Sequence, residues 1–233
     1  MQVHPLSVIL GGVIVGTASL LVAADAPSEG NGPLTAEQGD ILKYFSLVQL
    51  DDGQGGTVPA IRISGINLQI VNGEDATDTT NGLGNLIVGY NEPGENADRT
   101  GSHNIVGGVD SNYTSYGGLI AGLGNEISNA YCSVTGGQLN VASGLYSSVS
   151  GGDGNMATNT LASVSGGDGN VASGFISSVS GGRENVASGR SASVSGGREN
   201  VAQGIDSSAT GGQGNRATGE RSSVAGGDGN VAS

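Results

Sequence analysis

The chain has 233 residues, of which 45 are glycine and only eight are aromatic (six Tyr, two Phe, no Trp). Ordinary domains hold about 7% glycine, so there is too little bulky apolar matter here for a compact core of that length; without the G-X-Y period of collagen, what remains is disorder or a narrow repetitive architecture. The net charge is −13, of which −11 falls in residues 1–130, and Lys43 is the sole lysine, which argues against nucleic acid or an anionic membrane surface as partners because both need clustered Lys and Arg.

Residues 1–24 read as an export signal. An apolar run from Leu6 to Ala24 ends in small residues ahead of Asp25-Ala26-Pro27-Ser28, and cleavage is expected after Ala24. Met1 to Pro5 contains no Lys or Arg; the alternative is a retained anchor of about 19 residues, long enough to span a bilayer. Either reading puts the rest of the chain outside the cytoplasm, with membrane contact only through this segment. Residues 25–56 form an N-terminal segment with a short helix expected over 35–50: Thr35 and Gln38 have capping-box spacing, and Ile41, Leu42, Phe45 and Val48 share one helical face. Residues 57–103 read as a β-rich transition. Ile61 and Ile63, then Ile66, Leu68 and Ile70, alternate with polar residues, the period of half-buried strands. Asn72-Gly73 opens an acidic, Thr-rich loop that runs to about Asn81.

From residue 104 to 233 the chain repeats every fifteen residues. Glycine recurs from Gly107 to Gly227 and asparagine from Asn125 to Asn230 without a slip, the signature of a solenoid. Val134, Val149, Val164, Val179, Val194, Ala209 and Val224 form one column expected to point inward, and Ala142 to Ala232 another. The repeated Asn is expected to stack as an amide ladder. The column Asn129, Gly144, Asn159, Gly174, Gly189, Gly204, Gly219 holds only residue types that tolerate a left-handed backbone, so a positive-φ corner is expected there. The variable pairs from Leu145-Tyr146 to Glu220-Arg221 are expected to form an exposed edge, with Tyr146, Phe175, Ile176 and Arg190 as candidate ligand contacts. Val141, Met156, Val171, Val186, Val201 and Val231 neighbour the inward alanines and should face outward; an apolar stripe there is most simply explained by burial against another subunit.

Ser148-Val149-Ser150-Gly151-Gly152, and Asn170-Val171-Ala172-Ser173-Gly174 one coil later, resemble the half-coils of YadA-like head domains of trimeric autotransporter adhesins. The resemblance covers roughly residues 104–233. It implies an all-β fold: a left-handed parallel β-roll, here with 15-residue coils in place of the family's somewhat shorter ones, assembled as a homotrimer with the valine stripe toward its axis. Gly136, Gly151 and Gly166 stand where the family has Ile. A stalk and membrane barrel follow in that family, so 104–233 reads as a fragment or as a secreted relative.

Chemistry-bearing constellations are sparse. His4 and His103 are the only histidines and Cys132 the only cysteine, so neither a Ser-His-Asp arrangement nor a His-rich metal site can be assembled within one mature chain, and neither catalysis nor a cofactor is expected. The acidic position Asp153, Asp168, Asp228 becomes Arg183 and Arg198 in other coils, which reads as a solvated turn rather than a cation column. Asn112-Tyr113-Thr114 is a glycosylation sequon. The expected function is an exported adhesive surface for an extracellular protein, glycan or solid surface. A structural spacer and an ice binder, the latter using the Ser133/Thr135 to Ser208/Thr210 ladder, are the alternatives.

Overall fold

A computed structural model describes residues 35–95 and 97–233, in two units divided after Gln69. The expected signal over 1–24 lies outside the described residues.

In the first unit α1 spans Ala36–Leu42. The capping box is present: Thr35 Oγ1 accepts from the Gln38 N–H at 3.2 Å and Gln38 Oε1 from the Thr35 N–H at 2.8 Å. The helix does not continue to residue 50. Phe45–Asp51 is instead a strand, β1, antiparallel to β2, Thr57–Ile63, in a register running from Phe45↔Ile63 to Asp51↔Thr57. The turn between them explains the difference. Asp51 Oδ1 accepts from the Gly53 N–H, and Asp52 Oδ1 from those of Gln54 and Gly56, all at 2.8 Å. This closes a hairpin of seven cross-strand pairs, against which a helix interrupted by Gly39 and too short to stand alone cannot compete. Phe45 and Val48 therefore face Ile63 and Ala60 rather than sharing a helix face. The strand expected over Ile66–Ile70 does not form; that stretch is exposed and unpaired.

The second unit is a parallel β-solenoid of about ten coils, each giving one short strand to a ten-stranded sheet and each after the first giving another to a nine-stranded sheet. The ten-stranded sheet, here the serine sheet, starts with Leu86–Val88, Ile105–Val109 and Leu119–Leu123. It continues with a two-residue strand per coil from Ser133–Val134 to Ser223–Val224. The nine-stranded alanine sheet runs from Asn112–Tyr113 to Val231–Ala232. Through the regular part each residue pairs with the one fifteen positions on, as in Val149↔Val164 and Ala157↔Ala172.

The core is the two expected inward columns, with the valines from Val134 to Val194 and the alanines from Ala142 to Ala217 excluded from solvent. A third column is polar. The asparagines from Asn125 to Asn215 are wholly buried and saturate their amides. Asn170 Nδ2 donates to the carbonyls of Gly166 at 3.0 Å and Gly182 at 2.9 Å, and its Oδ1 accepts from the Asn185 N–H at 3.0 Å. Amide-to-amide bonds of 3.1 Å complete the ladder. Each Asn thus ties three successive coils, which a buried polar group must do to offset its desolvation.

The corner column is corrected in kind. Gly174, Gly189 and Gly204 are buried and do not adopt positive φ. Glycine is needed there because the coils touch: a Cβ on Gly174 would lie 2.0 Å from the carbonyl oxygen of Gly189. Asn159, in the same column, turns its side chain outward onto the Ser173 carbonyl at 2.9 Å. The left-handed corner is one position into the variable pair, at Tyr146 (φ 60°), Leu161 (59°), Ile176 (57°), Ser191 (54°), Asp206 (55°) and Arg221 (57°).

Candidate functional site: one edge and two outer faces

Three long surfaces follow from the stacking. The first is the variable edge. Tyr146, Phe175, Ile176 and Arg190 all lie along it and are exposed, Tyr146 by 51% and Ile176 by 46%. Stacking brings some of them together: the Arg190 guanidinium sits 5.8 Å from the centre of the Phe175 ring, a cation–π contact. It also extends the edge to residues that the sequence reading passed over. Tyr131 stacks on Tyr146 with ring centres 5.3 Å apart and planes 6° apart, and Tyr116 meets Tyr131 edge-on at 5.4 Å. Their fifteen-residue spacing was the available signal. Burial raises the Tyr116 phenol above its ordinary value, with the nearby Tyr131 and Asp78 adding to the effect.

The backbone under this edge is informative. Asparagine or glycine adopts a left-handed conformation cheaply, whereas a bulky or β-branched residue there is an outlier costing about 1–2 kcal/mol. Tyr146, Leu161 and Ile176 nevertheless occupy it, half exposed.

The second surface is the outer face of the serine sheet. Ser133, Ser148, Ser163, Ser178, Ser193 and Ser208 are half-buried there, and the column two residues on, from Thr135 to Thr210, is exposed. The hydroxyl ladder is therefore open to solvent along six coils. Its first three rungs are apolar instead: Leu86 pairs with Ile105, Ile105 with Leu119, and Leu119 with Ser133. Leu86 and Ile105 are exposed.

The third is the outer face of the alanine sheet. Val141, Val171, Val186 and Val201 point outward and are half-buried; Met156 is 38% and Val231 65% exposed. The column expected to meet another subunit is thus an outward apolar stripe, continuous from Val141 to Val201 and separated from Val231 by the exposed Arg216.

Titratable groups elsewhere serve the fold. His103, in a left-handed turn (φ 57°), accepts from the Asn72 N–H at Nε2 (3.2 Å) and has Nδ1 at 3.1 Å from the Thr77 carbonyl, anchoring the acidic loop. Arg183 and Arg198 pair with Glu184 (3.4 Å) and Glu199 (2.9 Å) at the exposed turns. Cys132 is buried, with Sγ 2.9 Å from the Gly144 carbonyl. Asn112 of the sequon accepts from the Asp98 N–H at 2.9 Å. Among the described residues no group of three or more His, Cys, Asp or Glu could hold a metal ion, and no helix is long and apolar enough to cross a membrane. No protein-family model matches the chain, and no curated protein does.

Proposed function

We propose that the chain is an exported, non-enzymatic display scaffold whose variable edge binds an extracellular protein or glycan, and which associates with further copies of itself through the valine stripe. The observation that carries the reading is the left-handed corner. Every regular coil turns left-handed at this position, the turn closed by bonds such as that from the Ser177 N–H to the Gly174 carbonyl at 3.1 Å, so what points to a use is the choice of side chain: Tyr146, Leu161 and Ile176 stand at φ near 60° with half their surface in water, where Asn or Gly would be cheaper. The inward columns repeat almost unchanged from coil to coil. This one varies among aromatic, aliphatic, charged and hydroxyl residues, the chemical variety that recognition of a protein or glycan requires. The resemblance to trimeric adhesin heads supports both adhesion and self-association and implies three copies.

The test is solid-phase binding of the chain without residues 1–24 to glycan and extracellular-matrix protein arrays. A saturable ligand lost on Tyr146→Ser with Phe175→Ser supports the reading; binding unchanged by those substitutions contradicts it.

A second reading draws on the open hydroxyl ladder. An uncharged, regularly spaced face exposed over six coils suits a lattice such as ice. Inhibition of ice recrystallisation, abolished by Ser163→Tyr and Ser178→Tyr but untouched by Phe175→Ala, would establish it over adhesion.

A further inference from the structure

The outward stripe of the alanine sheet has an order of charges that bears on how two chains meet. Followed from coil to coil it runs Glu126, then five apolar rungs from Val141 to Val201, then Arg216. Val171 is the middle rung, with Glu126 three coils before it and Arg216 three coils after. Glu126 is half-buried and Arg216 exposed, and neither has an ion-pair partner among the described residues.

The symmetry options differ in what they do with this pattern. A two-fold axis through the Val171 level, along the strand direction, lays a second chain antiparallel on the first. Val141 then meets Val201, Met156 meets Val186, Val171 meets its own copy, and Glu126 meets Arg216 at both ends. That rotation preserves strand direction, so the valine stripe falls on the valine stripe and the polar column beside it falls on itself, with Ser143 opposite Gln203, Thr158 opposite Ser188 and Ser173 opposite its own copy. A two-fold along the solenoid axis, centred on the stripe, keeps valine on valine but sets every level against itself, Glu126 against Glu126 and Arg216 against Arg216, and throws the neighbouring columns to opposite sides. A three-fold along the same axis keeps valines together but gathers three Arg216 at one level and three Glu126 at another, roughly 29 Å away at about 4.8 Å per coil. Like charges at one level repel, and unlike charges at that distance lie beyond a Debye length and are screened.

We propose that the outer face of the alanine sheet binds a second copy of this chain in antiparallel orientation, with Glu126–Arg216 pairs closing both ends of a five-rung apolar seam. The inference rests on the reading that the valine stripe is an interface, and changes its symmetry from the three-fold that the resemblance implies. An isologous contact of this kind closes on itself and leaves the variable edges of both chains free, running in opposite directions.

Two single-cysteine chains test it, Glu126→Cys and Arg216→Cys, each also carrying Cys132→Ala, since alanine fills the equivalent buried position at Ala162 and Ala192. Treated with a short bismaleimide, neither alone should cross-link, and the mixture should give a covalent dimer. In sedimentation the wild type should be a dimer, Glu126→Arg should raise its dissociation constant at least tenfold, and adding Arg216→Glu to that variant should restore it. Cross-linking of each variant with itself, or a wild-type trimer dispersed by Val171→Arg, would overturn the antiparallel pairing while keeping the stripe as an interface. A wild-type monomer at micromolar concentration would overturn both.

Discussion

Two glycines seven residues apart separate close coil contact from simple conformational freedom. Gly174 is buried, and a Cβ there would sit 2.0 Å from the carbonyl oxygen and 2.7 Å from the carbonyl carbon of Gly189. These are backbone atoms of the next coil, held by the Gly174 N–H to Ala187 carbonyl bond at 3.2 Å and the flanking bond from Ser173 at 2.9 Å, so they cannot swing aside as a side-chain tip would. Gly174→Ala must therefore push two coils apart, an overpacking cost of about 1–3 kcal/mol. At Gly181 the nearest atom to an added Cβ is the Gly166 carbonyl oxygen at 3.9 Å, and its φ is not in the left-handed region. Gly181→Ala should gain about 0.4–1 kcal/mol by restricting the unfolded chain. A solenoid unfolds coil by coil rather than all at once, but neighbouring sites share that behaviour. Thermal melts followed by circular dichroism should place the two variants roughly 3–16 °C apart, at about 2–4 °C per kcal/mol for a chain of this size. Equal melting temperatures, or a Gly174→Ala variant as stable as wild type, would refute the account of why that column is glycine.

Asn170→Ala should cost about 2–3 kcal/mol, because it strands the buried Asn185 N–H and removes the amide's bonds to the Gly166 and Gly182 carbonyls, the second of which keeps its bond from the Asp168 N–H; denaturant titration checks this, and a loss under about 1 kcal/mol would contradict a structural ladder. Val179→Ala should cost about 2 kcal/mol while Ser180→Ala, one residue on but facing solvent, should stay within about 0.5 kcal/mol; comparable losses would mean the inward and outward columns are misassigned. The hairpin turn should loosen in acid. The Gln54 and Gly56 N–H bonds hold the Asp52 carboxyl below its ordinary value of 3.8, so its contribution is present above that value and lost as pH falls through the lower folded value. The Gln54 and Gly56 amide resonances should move with Asp52 protonation on going from about pH 5 to about pH 2, and resonances indifferent to pH would contradict the turn.

What was legible in the sequence was whatever every coil repeats. An inward Val, an inward Ala and a bonded Asn do the same job at each level, so fifteen-residue spacing and side-chain type identified them without knowledge of their partners. The glycine column misled because close approach and left-handed backbone both select glycine, and the two asparagines at 129 and 159 tipped the reading toward the second. The true left-handed corner was concealed by Tyr146, Leu161 and Ile176, residues that local preference excludes from it. Thr35 announced the start of α1, since a capping box lies within four residues. Its end was not legible: Phe45 to Leu50 has an apolar pattern compatible with either a helix face or a strand, and the choice rests on Val58 to Ile63 across the turn. Nor did period alone show that the hydroxyl face begins as an apolar one, because Leu86 and Ile105 precede the regular repeat and only strand pairing places them above Leu119 and Ser133.

The most direct test of the display reading is a binding isotherm for the edge variant Ile176→Asn beside that of the wild type. Asparagine suits φ 57°, so relief of about 1–2 kcal/mol of left-handed strain offsets the lost burial of a half-exposed isoleucine, and the melting temperature should hold or rise. Combined with Phe175→Ser, which gives up the ring's contact with Arg190, it should weaken ligand binding at least tenfold in a chain whose circular dichroism is that of the folded wild type. Undiminished affinity in that double variant would contradict the claim that the strained edge exists to present its side chains.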